Sequence, residues 1–307
     1  MSGESAAATK LADPIRAGTL STATDGARPD LPVTHITAHR GWFDWRLGQL
    51  WRYRDLIRLF VWRDFVSLYK QTVLGPAWHV IRPLLATLIL TVVFGRIARL
   101  PTDGNPPLLF YMAGQVAWVF FANCLDGISR TFVANTHLLG KVYFHRLAVP
   151  VAAIFSNLIS FGIQFAVLLV MIAGYIAYGS SVHFSGWVLA LPIVLLLLGG
   201  YALAAGLVVC ALTTRFRDLT YLVTFGTQLL MYVSPVIYPA SGVPEEYEWV
   251  TRANPLTPLL EAFRRAVLGT GSVVPVDLVI SAGVMLVALT VGLVLFTRVE
   301  RTFLDTV

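Results

Sequence analysis

Residues 147–214, LAVPVAAIFSNLISFGIQFAVLLVMIAGYIAYGSSVHFSGWVLALPIVLLLLGGYALAAGLVVCALTT, run for 68 positions without one Asp, Glu, Lys or Arg. A membrane-crossing helix needs about 20 apolar residues, so this stretch holds two spans and a connection. The connection falls at 179–186, where Gly-Ser-Ser and a following Gly-Trp mark a turn at an interface. The whole chain agrees: 56% of its 307 residues are hydrophobic and 13% charged, with a mean hydropathy of +0.70. A soluble core cannot absorb that much apolar side chain.

Outward from this stretch, the uncharged runs 105–125, 219–244 and 278–297 are each near or above crossing length. A weaker first span covers 76–95, where Arg82 stands within two turns of the start and snorkels to the headgroups. The sequence therefore predicts an all-α membrane protein with six transmembrane helices, at about 76–95, 105–125, 147–178, 187–213, 219–240 and 276–297. Residues 1–39 are rich in Ser, Ala, Thr, Gly and Pro and lack an apolar run of signal-peptide length. They read as a disordered tail, not a cleaved leader. Cys124 and Cys210 fall inside apolar segments and read as small buried hydrophobes. His137 and His145 have no Cys or acid near them and read as surface histidines, not a metal site.

The net charge of +6 sits in short clusters beside the spans, a pattern of membrane orientation and not of nucleic-acid binding. With the N-terminus inside, fourteen cations fall in 40–70, 126–146, 215–218 and the C-terminal tail, against five in the opposite loops. The last external loop is net acidic through Glu245, Glu246, Glu248, Glu261 and Asp277. Both termini are therefore expected in the cytoplasm.

Before the first span, 47–70 places Leu50, Ile57, Val61 and Leu68 on one side and Arg52, Arg63 and Lys70 opposite, an interfacial helix or a soluble amphipathic one. The segment 130–146 is too polar to span and too apolar for a plain linker, as a docking surface is. Its Gly140-Lys141 pair lacks the surrounding P-loop pattern. The external piece NPLTPLLEAFRRAVLG, 254–269, is amphipathic and either dips into the membrane and returns or lies flat outside. Tyr221, Phe225, Gln228 and Tyr232 share a helical face, and Tyr111 and Trp118 stand seven apart. Such faces suit a carbohydrate, and they equally suit ordinary packing or an interfacial belt. Asn157, Ser160 and Gln164 share a face of the third span and are expected to bond between helices.

Five segments in order and spacing carry a resemblance: YKQTVLGPAWHVIRPLL from Tyr69, LLGKVYFHRLAVP from Leu138, FRDLTYLV from Phe216, SPVIYP from Ser234 and NPLTPLLEAFRRAVLG from Asn254. Together they resemble the polysaccharide-export permeases of the ABC-2 transporter family, those of O-antigen, capsule and teichoic acid. The pattern departs at His145, where Pro is the commoner residue. The resemblance implies that 40–307 form an ABC-2 transmembrane domain, with an N-terminal interfacial helix and short re-entrant external helices between spans five and six. It implies a transport subunit, not an enzyme, in a bacterial inner membrane. The subunit would form a homodimer with two copies of a separate ABC ATPase. No cofactor belongs to this chain, ATP and Mg being bound by the partner. It further implies that Leu138, Lys141, Tyr143, Phe144 and Arg146 contact the ATPase. Spans one, two and five would line a channel for a polyprenyl-pyrophosphate-linked glycan, with Tyr111, Trp118, Tyr221, Phe225, Gln228 and Tyr232 along it. Arg52, Arg63 and Arg82 stand where the lipid pyrophosphate or an anionic headgroup would pass. A drug or small-lipid exporter shares this topology. A secondary transporter normally needs an acid at membrane depth, which the apolar runs lack, and a glycosyltransferase would need clustered loop carboxylates.

Overall fold

A helix that is apolar on every side belongs in the middle of a bundle, and Pro107–Ser129 (α3) is such a helix. Among the described residues it is the most deeply buried of five helices long and apolar enough to cross a membrane. The others are Trp78–Leu90 (α2) with its continuation to Ile97, Ala148–Ala177 (α4), Leu191–Thr213 (α5) with the turn before it, and Pro275–Thr306 (α9). The computed structural model describes residues 47–70, 75–135, 144–213, 216 and 218–306, and among these residues every regular element is helical. The expected tail 1–39 lies outside the described residues.

α3 packs on α2, α4 and α5, and α5 packs on α9. Small residues set the closest approaches, as in membrane bundles generally. A Cβ at Gly206 of α5 would stand 2.6 Å from Ile128 of α3, and one at Gly292 of α9 would stand 2.7 Å from the Ala204 carbonyl oxygen. Cys124 and Cys210 are buried in this core. The outer faces carry Ile89, Val170, Leu196 and Val287 fully in the open, a surface that water penalises and hydrocarbon accepts. Ser160 and Gln164 of α4 are buried, whereas Asn157 donates to the Ala153 carbonyl of its own helix at 2.8 Å rather than across to a neighbour.

Arg54–Tyr69 (α1), continuing helical turns from Leu47, lies along α4. Leu50, Ile57 and Val61 face the core, while Leu59 and Trp62 point away from it beside the exposed Arg52 and Arg63.

The expected fifth span, 219–240, is helical only over Leu219–Val233 (α6). At 1.5 Å per residue that is about 22 Å, short of a hydrocarbon core of about 30 Å. Pro235 and Pro239 have no amide to continue the ladder, and Ser234 turns to an extended conformation. The irregular residues that follow are nevertheless buried, Ser234 to Ile237 included. Their carbonyls need partners, because unpaired backbone is costly away from water.

The Ser234 carbonyl accepts from the Val236 amide at 2.7 Å, and the Pro235 carbonyl is met from Thr257–Leu268 (α8), which follows the short helix Glu248–Ala253 (α7). α8 opens with Pro258 in its first turn and stops at Gly269, whose φ of +78° a residue with a Cβ rarely adopts. It does not lie flat on the surface. It packs against α3, α5 and α9 and is buried almost throughout. Its charged residues Glu261 and Arg264 are each 1% exposed and pair at 2.7 Å. Arg264 also donates to the Pro235 carbonyl at 2.7 Å and lies 4.0 Å over the Phe110 ring. Glu261 accepts from the Ala240 amide at 3.1 Å and the Ser272 amide at 3.3 Å. Burial lowers the Arg264 pKa from its ordinary value, and the Glu261 carboxylate opposes that shift. Asn254 completes the joint by donating to the Ser234 hydroxyl at 2.8 Å.

Removing one member of a buried pair strands the other charge, at a cost of about 3–5 kcal/mol. Glu261→Gln or Arg264→Met alone should therefore sharply lower the thermal midpoint of the purified protein. The double variant should lose less than the two singles summed, and a strictly additive loss would show that the pair does not act as a unit. On α9, Gly292→Ala should cost about 1–3 kcal/mol by overpacking. Gly283→Ala on the same helix, with nothing within 4 Å of the new methyl, should not.

Candidate functional site

α6 touches α3 and α5 along one edge, with Val223, Leu230 and Met231 packed inward. At its start Arg130 reaches across from the end of α3 to donate to Thr224 at 3.3 Å, while pairing with Asp126 at 2.9 Å. The far end is held by the buried segment after Val233. The opposite face is left open. Tyr221 is 81% exposed, Phe225 57% and Tyr232 56%, with Gln228 exposed between them. Their spacing of four, three and four residues places them on one stripe, offering three aromatic faces, two phenol hydroxyls and an amide.

The two aromatics of α3 do not join that stripe. Tyr111 is buried beside Gly95 and the α8 anchor, and among the described residues its hydroxyl has no partner. Trp118 is buried against Phe121, ring centroids 5.4 Å apart. A helix apolar all round turns its aromatics into the packing, and the seven-residue spacing of Tyr111 and Trp118 carried no information on which side is open.

At the other end of α3, of the predicted docking residues Leu138, Lys141 and Tyr143 lie outside the described residues. Phe144 and Arg146 are buried. Phe144 packs on Phe60 of α1, centroids 5.8 Å apart, and His145 meets Tyr53 edge-on at 6.4 Å. Arg63 of α1 donates to Asn135 at 3.4 Å, so α1 touches both flanks of 136–143. Arg63 is also paired with Asp64 at 2.7 Å, and Asp64 accepts from Ser156 of α4 at 3.4 Å. Arg82 lies 5.3 Å over the Trp78 ring, and Arg52 is exposed. The three predicted cations are thus separate features: Arg63 is already neutralised by its neighbour.

Two residues that organise the site, Glu261 and Arg264, were visible in the sequence only as loop charges. Their three-residue spacing on an otherwise apolar helix was the available signal.

A sequence profile of the ABC-2 type transporter matches residues 55–268, from α1 to the end of α8. The chain is 26% identical over 263 residues to the O-antigen export system permease protein RfbA of Klebsiella pneumoniae, covering 85% of this chain and 97% of that one. A protein of the same name from Myxococcus xanthus is 26% identical over 219 residues, 70% of this chain and 81% of its own. The polysialic acid transport protein KpsM of Escherichia coli is 26% identical over 247 residues, 79% of this chain and 92% of its own. With the matched region holding both the α6 stripe and the buried pair, the chain belongs to the ABC-2 type transporter family, among relatives that are polysaccharide-export permeases.

Proposed function

We propose that this chain is the membrane subunit of an ATP-driven exporter that moves a polyprenyl-pyrophosphate-linked, O-antigen-like polysaccharide across the bacterial inner membrane. It works as a homodimer with two copies of a separate ABC ATPase, which binds ATP and Mg. The observation that carries this is the open stripe Tyr221, Phe225, Gln228 and Tyr232, in a chain whose relatives are named for polysaccharide export. Two copies facing each other across α6 enclose the stripe in a channel. Sugar C–H faces slide over the rings while hydroxyls trade hydrogen bonds with the phenols and Gln228. Tyr111 and Trp118 stiffen the wall behind, because both are buried.

In this account α6 and the segment 234–239 together make the fifth of six crossings, and α8 is re-entrant, its cover supplied by α3, α5 and α9. Both termini are cytoplasmic, following the cation bias of 40–70 and 126–146. α1 lies in the inner interface with Leu59 and Trp62 toward lipid. ATP-driven closure of the partner pushes on 138–146, through Leu138, Lys141, Tyr143, Phe144 and Arg146. Phe144 and Asn135 carry the displacement into α1 through Phe60 and Arg63. Arg52 and Arg82 take the pyrophosphate or headgroup role more readily than Arg63, which Asp64 occupies. Ion coupling does not require consideration of Glu261, since its charge is balanced by Arg264.

Co-reconstitution with the partner ATPase in proteoliposomes tests the account. ATP should drive export of the lipid-linked glycan. Each aromatic stack is worth about 0.5–1.5 kcal/mol, so Tyr221→Ala, Phe225→Ala or Tyr232→Ala should each slow export about two- to tenfold at equal folded yield. Export of a small amphiphile with no glycan movement would replace the substrate assignment by a drug or lipid. A cysteine beside Glu246 should react with an external thiol reagent and one at Lys141 should not; the reverse labelling would invert the topology. Phe144→Ala should lower ATP hydrolysis coupled to transport, and intact coupling would remove the docking role.

A further inference from the structure

Next to the buried pair, α7, the start of α8, residues 240–241 and the first turns of α9 enclose an open cavity of about 620 Å³. That is within the range of small-molecule sites, about 300–1,000 Å³. Its polar wall includes Ser241, Glu248, Thr251, Arg252, Ser272 and Asp277. Most of these are held in place by bonds within the protein. Ser241 donates to Asp103 at 2.8 Å, Thr251 to the Glu248 carbonyl at 2.9 Å, and Arg252 pairs with Glu248 at 2.8 Å. Ser272 is fixed through its amide to Glu261 at 3.3 Å, so one side of the cavity is built on the buried anchor.

Three groups of the wall remain to spare. Among the described residues, the Asp277 carboxylate and the Ser272 and Thr257 hydroxyls have no side-chain hydrogen-bond partner. Asp277 stands in the first turn of α9. An ionised carboxylate only accepts, so it needs a donor. The charged wall counts two carboxylates, Glu248 and Asp277, against one guanidinium, Arg252, which disfavours phosphate and other anions. Along the same face of α9, one and two turns beyond Asp277, Ile280 and Val284 give an aliphatic surface.

A ligand suited to this wall has hydroxyl or ammonium donors on one face and C–H on another, and carries no negative charge. We infer that the cavity binds a neutral or amino-bearing sugar unit, with two of its donors on Asp277 and Ser272 and its C–H face on Ile280 and Val284. The inference deepens the proposed function, on which it rests for the source of the sugar: a docking point for the glycan beside the α8 anchor, apart from the aromatic stripe.

The probe is the oligosaccharide released by mild acid from the surface polysaccharide of the organism that carries this chain, titrated into the full-length purified protein and read by saturation-transfer NMR. Wild type should bind saturably. Asp277→Asn and Ser272→Ala should each weaken binding, the former about tenfold because it removes a charged acceptor, with unchanged thermal midpoints. Val170→Ala, on the exposed outer face of α4, should bind as wild type does. Equal affinity in wild type and Asp277→Asn, or no saturable binding, overturns the inference. So does displacement of the sugar by phosphatidylethanolamine in nanodiscs, which would make the cavity a lipid headgroup site. If ATP-driven export fails while the Asp277-dependent binding persists, the export reading falls and the site stands. If export proceeds and Asp277→Asn binds normally, the site alone falls.

Discussion

The contact on which the rest depends is the buried ion pair between Glu261 and Arg264. Charges are expensive to bury, and pairing and hydrogen bonds must offset that cost. Here the compensation does structural work at three places at once. Arg264 satisfies the carbonyl of Pro235 and covers the Phe110 ring, while Glu261 takes the amides of Ala240 and Ser272. One helix thereby ties the end of α6, the start of α3 and the entry to α9. Without it, the buried Pro235 carbonyl of the proline-broken segment after Val233 would lose its donor. The two motifs SPVIYP and NPLTPLLEAFRRAVLG are a single unit in space, closed by Asn254 on Ser234. Gly114 belongs to the same joint: a Cβ there would lie 2.6 Å from the Val236 carbonyl oxygen.

Much of the fold was legible because charge is so costly at membrane depth that its absence marks helices directly. The run 147–214 became α4 and α5 with a turn between, and the core cysteines fell where apolar neighbours put them. α6 was harder. Composition remains apolar past Val233, and only the prolines signal that the helix stops while the buried path continues. Hydropathy sees burial, not backbone form. The charges of α8 were misleading for a related reason. Amphipathic patterning assigns charged residues to solvent, and it has no way to represent two that neutralise each other inside. Helical spacing likewise identified the stripe on α6, whose neighbours leave it open, and could not tell that Tyr111 and Trp118 point into packing.

Function follows from what the anchor leaves free. With its far end fixed and its near end held by Arg130, α6 presents its aromatics outward along its length. At the opposite end of α3, α1 contacts both flanks of 136–143 through Phe60 and Arg63. α1 in turn lies along α4.

The most direct measurement is photocrosslinking during ATP-driven transport, with p-benzoylphenylalanine placed at Phe225 on the open stripe or at Val287 on the outer face of α9. The account predicts ATP-dependent crosslinks to the lipid-linked glycan at position 225 and only lipid adducts at 287. Glycan crosslinks at 287 with none at 225 would contradict it.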